Sequence, residues 1–276
     1  MAPNGDEALE LGGDSGEFEE AILDGSGVED QRVRVFPSKC FTNRSLCPGR
    51  EAWRIRARVV RKWEMAPTAD PSKPYAIQLV LIDSEGNKIE ANIKKYLMSK
   101  FEREIVEGNV YKVNCFSVVD NNGEYRATDH EYKIIFNSKT KLQIDQCDTI
   151  PMLGLSFKDT SEVKMTMGES DFLIDIIGFV TGVSEEQQFP KSGRVTRKLE
   201  MEITDDKGKI KMAVFGKYVD IVKGFLAVDG VGLPVIIVQF AKIKTYRGEV
   251  VIQNVMQATK LFWNADIPEV AAFRDG

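Results

Sequence analysis

A chain of 276 residues with 43% hydrophobic and 29% charged side chains holds enough material for two ordinary domains with real cores. Its net charge of −5 is unevenly spread: residues 1–30 carry ten acidic and no basic side chains, residues 31–50 carry five basic and no acidic ones, and the rest balance. No apolar run reaches membrane-spanning length, and four cysteines without a CxxC pair beside a lone His130 fit no usual zinc spacing, so a soluble intracellular protein without metal or cofactor is expected.

Residues 1–50 are expected to be a disordered segment, acidic and then basic. A first domain is expected over 51–140. In its opening strand Trp53, Ile55, Ala57 and Val59 share one face, and Arg54, Arg56 and Arg58 share the other. Three arginines in phase suit phosphate contact, although an exposed strand face carries arginine just as well. Leu79–Lys94 reads as a hairpin turning at Gly86, followed by a helix over Lys95–Arg103, a strand over Val110–Ser117, and a tight turn at Asp120–Gly123. The last strand is expected from about Tyr125 to Phe136. Residues 141–168, polar with Pro151 and Gly154, read as a linker.

The second domain, 169–276, begins with an apolar strand from Asp171. A loop containing Lys191, Gly193 and Arg194 leads into the most informative stretch, LEMEITDDKGKIKMAVF (199–215). There Leu199, Met201 and Ile203 alternate with polar residues, Asp205–Gly208 supplies the turn, and Ile210, Met212 and Val214 continue the buried face. Lys211 and Phe215 must then point outward. A ring beside a lysine is what base stacking needs, and a Phe packing beneath the following helix is the competing explanation. A short helix over Gly216–Lys223, an apolar strand over Val231–Lys244, a turn at Thr245–Gly248 and a closing strand over Val250–Val255 follow. Asn264–Glu269 reads as a helix start capped by Asp266.

Gly208 lies 122 residues after Gly86, and the same order of hairpin, helix and two strands surrounds each. The fold class expected is therefore all-β: two tandem OB-fold barrels, each with a short helix between strands 3 and 4.

From Trp53 to the C-terminus the chain resembles the large subunit of eukaryotic replication protein A, in its tandem OB folds that bind single-stranded DNA. The matching residues are WRIRARV (53–59), EYKIIFN (131–137), DIIG (175–178), AVFG (213–216), TYRG (245–248) and NADIPE (264–269). The resemblance implies two stacking aromatics per barrel: Phe215 and Tyr246 in the second, Phe136 in the first, with Lys94 standing where the family has a ring and Tyr125 adding surface. Arg58, Lys62, Arg126, Lys198, Lys211, Lys242 and Lys244 are the candidate backbone contacts from their faces and loops. The third OB fold with its zinc ribbon and the N-terminal interaction barrel of the family have no counterpart here, which suggests a shortened paralogue.

Three functions follow for comparison. The first is a nuclear, non-catalytic protein binding single-stranded DNA, with RNA left open, that joins other replication protein A subunits or repair proteins. The second is an OB-fold protein-interaction module with weak or no DNA binding, its acidic tail meeting a basic partner or mimicking nucleic acid. An enzyme has little support: there is one histidine, no phosphate-binding loop of the GxxxxGK[ST] type, and Asp205-Asp206 is explained by a turn. No membrane partner is expected.

Overall fold

The structure, a computed structural model, describes residues 40–50, 52–67, 70–166, 170–191, 194–227 and 232–276. The acidic segment 1–30, the basic residues up to Lys39 and Gly193 lie outside the described residues.

The first barrel contains β1 (Arg54–Met65), β2 (Ala76–Ile82), β3 (Lys88–Lys94), α1 (Lys95–Phe101), β4 (Val110–Asn114), β5 (Ser117–Asp120), β6 (Tyr132–Ile135) and β7 (Lys141–Asp145). Their order in the sheet is β5-β6-β3-β2-β1-β4-β7. Only Cys115 and Phe116 separate β4 from β5, so the sheet curls until the chain itself joins its two sides. Alternation decides which residues go inside: Ile55, Ala57, Val59, Ile77, Leu79, Leu81, Ile89, Ala91 and Ile93 form the core, with Phe101 of α1 buried against it. Residues 40–46 lie on this barrel. Phe41 bridges to Ile55, and the Asn43 amide donates to the Asp83 carboxylate at 2.6 Å.

The second barrel follows α2 (Thr160–Met165) and contains β8 (Leu173–Val183), β9 (Gln187–Lys191), β10 (Arg194–Asp205), β11 (Gly208–Phe215), α3 (Lys217–Leu226), β12 (Val235–Tyr246), β13 (Glu249–Asn254), β14 (Lys260–Trp263) and α4 (Pro268–Asp275). The order β11-β13-β12-β8-β10 closes through the β10–β11 pairing. The hairpin forms in the expected register, Met201 opposite Met212 and Asp205 opposite Gly208, and all six apolar residues named for its inner face are buried. Gly216, at φ 62°, turns the chain from β11 into α3, a conformation that costs glycine little.

The two halves repeat one plan. β3 pairs in parallel with β6, as β11 does with β13. A residue with φ 59° interrupts the ladder in both, Cys115 between β4 and β5 and Phe240 at the register shift within β12. Between the barrels lies a separate apolar seam in which Val60, Val80, Ile82 and Val110 of the first meet Leu173, Phe240 and Ala258 of the second, with Ile150 of the connecting segment.

Three expectations are corrected. Residues 121–131 are a loop, and the strand expected from Tyr125 to Phe136 is only Tyr132–Ile135, because this loop is drawn toward the second barrel: the Arg126 amide donates to Asp171 O and the Leu173 amide to Arg126 O. Lys141–Asp145, assigned to the linker, pair with β4. Asp266 does not cap the last helix; Ile267 precedes it and Pro268 opens it. The connecting segment is itself ordered. Asp159 and Glu162 form a capping box on α2, and the amide and hydroxyl of Thr160 both reach Asp205 at 2.7 Å.

Candidate nucleic-acid interface

The outer face of the second barrel is built by the residues that alternate with its core. On β10 these are Lys198, Glu200 and Glu202, and on β11 they are Lys209, Lys211, Ala213 and Phe215. Lys198 sits opposite Phe215 in the ladder, and its ammonium lies 5.4 Å from the Tyr246 ring centroid. The Arg247 guanidinium lies 5.2 Å from the same ring, and Tyr246 is 53% exposed. Phe215 is half-buried and outside the core cluster, with its amide donating to Asn254 Oδ1 at 2.7 Å. Lys198 is thus linked to both aromatics, as the ladder partner of Phe215 and as the cation beside the Tyr246 ring.

The cations of this face have acidic neighbours. Lys198 pairs with Glu200 at 2.5 Å, Lys209 with Glu202 at 2.8 Å, and Lys211 with Glu249 at 2.7 Å. The Lys211 hydrogen bond holds the Glu249 carboxyl below its usual value, and Glu249 in turn raises Lys211. At the edge, hydrogen bonds from Arg197, Lys223 and Gln188 hold Glu186 down to about 2. Lys244 is half-buried on β12, opposite Val251.

In the first barrel Lys94 is exposed at the end of β3, opposite Ala76, and it holds the position that Phe215 holds in the second. Tyr125, 46% exposed, comes from the loop ahead of β6, and the Lys242 ammonium lies 4.6 Å from its ring centroid. Tyr75 and Tyr96, exposed near Lys94, are not among the residues that the sequence singles out; the signal available was their position flanking the hairpin's end.

The other candidates are engaged with neighbouring groups of the protein. Phe136 is 1% exposed and packs edge-on against Phe101 at 5.1 Å, so neither ring face is open to a base. Arg58 is buried, donating to the carbonyls of Gly108, Cys147 and Ile150. Lys62 donates to the carbonyls of Glu102 and Ile105. Lys242 is 1% exposed and donates to Glu124 O and Ser170 O. Arg126 lies over Phe172 at 4.0 Å and pairs with Asp171 at 3.3 Å. Nor do the opening-strand arginines form a phosphate row, since Arg54 donates to Asn114 and Arg56 pairs with Asp145. Arg58, Lys62 and Lys242 share one physical reason: a long cationic chain lying where two segments meet must find acceptors, and the nearest are backbone carbonyls.

A family model described as "Domain of unknown function DUF223" matches residues 44–164. One replication protein A 70 kDa DNA-binding subunit of Oryza sativa subsp. japonica is 27% identical over 253 residues, which is 89% of this chain and 26% of that protein. Another protein of that description from the same plant is 24% identical over 86% of this chain and 37% of its own length. The similarity to these subunits extends over both barrels. One solved structure, a replication protein A heterotrimer bound to single-stranded DNA, matches the fold with a TM-score of 0.58 at 20% identity, over 85% of this chain and 54% of that one. The chain thus spans between about a quarter and two fifths of these two curated replication protein A relatives. Among the described residues there is no group of three or more His, Cys, Asp or Glu that could hold a metal, and no helix long and apolar enough to cross a membrane.

Proposed function

We propose that this tandem of OB folds binds single-stranded DNA without catalysing a reaction, in the nucleus, together with other replication protein A subunits or repair proteins. The observation that supports this is Lys198, opposite Phe215 in the ladder and 5.4 Å from the Tyr246 ring. The naming of the relatives as DNA-binding subunits supports it. Bases stack on Phe215, Tyr246 and Tyr125, and Lys94, Lys198, Lys211 and Lys244 meet phosphates. Each stacked base is worth about 1–3 kcal/mol. Replacing both Phe215 and Tyr246 by Ala therefore weakens binding to an oligothymidylate at least ~30-fold in fluorescence anisotropy. Unchanged affinity in that double variant would sink the assignment of this face.

A protein-interaction role is the second reading, favoured by the carboxylate beside each face lysine, which lowers the net positive field available to phosphates. Competition among single-stranded DNA, duplex DNA and single-stranded RNA at stated salt separates the two. Equal, weak binding of all three favours the interaction module.

A further inference from the structure

The connection between the barrels has none of the features of a loose tether. On one side the loop carrying Tyr125 is held by groups from both barrels. Its own barrel supplies Glu90, whose carboxylate accepts from the Ala127 amide at 2.6 Å and from Asn121 Nδ2 at 3.2 Å. The other barrel supplies Lys242, whose ammonium donates to Glu124 O and Ser170 O, together with the two backbone hydrogen bonds that join Arg126 to Asp171 and Leu173.

A second clamp uses Arg61 of β1. Its guanidinium donates across the seam to the carbonyls of Ala258 and Gln257, and pairs with Glu107 at 2.5 Å. Glu107 also accepts from the Lys62 amide and from Lys260 of the second barrel, each at 2.6 Å. Burial alone would push the Glu107 carboxyl up, yet these donors and charges bring it below its usual value, so it stays ionised in the joint. Gln257 holds φ 67°, an uncommon conformation for a side-chain-bearing residue, where its carbonyl meets Arg61. Between the clamps lies the apolar seam, and Lys88 adds a hydrogen bond to Gly154 O at 3.0 Å.

We propose that Lys242 and Arg61 are positioning residues that lock the two barrels into a single nucleic-acid platform before any ligand arrives, with Tyr125 as a stacking residue at its seam. This rests on the single-strand reading for what the platform binds, but the lock is a property of the free protein. Domains in one chain move relative to one another unless their interface is extensive and apolar. Here a buried ammonium and a guanidinium would lose their acceptors if the seam opened, and the apolar side chains between them would meet water. A strand passing from Tyr125 to Tyr246 and Phe215 then meets rings at fixed spacing. Binding does not bear the entropy of ordering two tethered modules.

Distance measurements by electron–electron double resonance test the lock directly. Spin-labelled non-canonical residues at Ser99 in α1 and Gly224 in α3 serve as reporters, since both are exposed and a side chain at Gly224 meets nothing within 4 Å. The free protein should give one narrow distribution, unchanged by a saturating oligothymidylate of about thirty nucleotides, long enough for two OB folds. A broad distribution in the free protein, or one that narrows or shifts on binding, overturns the lock. Lys242→Met should broaden the distribution and weaken binding of the ~30-nucleotide strand about tenfold, while an ~8-nucleotide strand on the second barrel is affected less than about twofold. Lys242→Arg, which keeps donors for the two carbonyls, should restore both readouts. Equal loss for long and short strands, or no change in distance, rules out Lys242 as a positioning residue. A narrow distance with no binding of any strand overturns the single-strand reading and with it the platform's role. The wild-type measurement stands even if Lys242→Met fails to fold.

Discussion

Lys94 and Phe215 occupy the same place in the two barrels: each ends the third strand just ahead of the helix, Lys94 opposite Ala76 and Phe215 opposite Lys198. The first barrel thus puts a charge where the second puts a ring. Lys94→Phe should add a stacking surface and tighten single-strand binding by about 1–2 kcal/mol, roughly five- to thirtyfold. Anisotropy at matched salt checks this. Weaker binding would mean that Lys94 already makes a phosphate contact worth more than a stacked ring.

The acidic partners of the face lysines compete with phosphate. Glu249→Gln removes the partner of Lys211 and should tighten binding a few-fold at low salt. It should also steepen the fall of log affinity with log salt by roughly 0.7, the value for one more neutralised phosphate on a single strand. A salt titration of parent and variant measures both. An unaltered slope would show that Lys211 does not reach the nucleic acid.

Phe136 and Phe215 should separate stability from binding. Phe136→Ala opens a cavity against Phe101 and should cost about 3–5 kcal/mol in urea unfolding, with near-parental affinity in the protein that remains folded. Phe215→Ala should do the reverse, losing less than about 1 kcal/mol of stability and much of the affinity.

Glu90 predicts a pH signature. Burial, outweighing the hydrogen bonds from Asn121, Ala127 and Thr128, raises its carboxyl in the folded protein. The native state then holds this proton more tightly than the unfolded chain, so the contribution of Glu90 to stability declines as pH rises from the ordinary glutamate value through the raised one. Glu90→Gln, which mimics the protonated form, should have a higher Tm than the parent at pH 7 and converge with it near pH 4. Thermal unfolding across that range gives the answer. A variant less stable at pH 7 would mean that the ionised group, held by the Ala127 amide, is the favoured form.

Gly178 is under a steric constraint. A Cβ there would sit 2.5 Å from Ile203 Cγ2 and 2.9 Å from Thr204 O, so Gly178→Ala should cost about 1–3 kcal/mol in denaturant unfolding by forcing β8 and β10 apart.

The hairpin 199–215 was legible because its whole signal is local: a period of two, a turn glycine, and an outward ring left over. The repeat followed from the same pattern met twice. What the sequence could not show was which cations reach water. Arg58, Lys62 and Lys242 have the composition and strand phase of phosphate contacts, yet their acceptors are carbonyls 92, 40 and 118 residues away in the chain. Nothing local distinguishes them from Lys211. Phe136 fails for the related reason that a ring in the last strand's apolar run joins whichever side has space, and α1 places Phe101 beside it. The loop of Tyr125 reads as strand in the sequence because its pairing partner lies in the other barrel.

Asp205 does two jobs at once. It accepts the Lys207 and Gly208 amides that shape the hairpin turn, and it accepts Thr160 from the connecting segment. Thr160 and Asp205 stay on one fragment if a protease nicks the backbone between Asp145 and Thr160, and the Arg61–Ala258 and Lys242–Glu124 hydrogen bonds with the apolar seam still join that fragment to the other half, so the nick would not release two fragments. The halves should copurify until denaturant separates them, and they should re-form the same particle when it is removed.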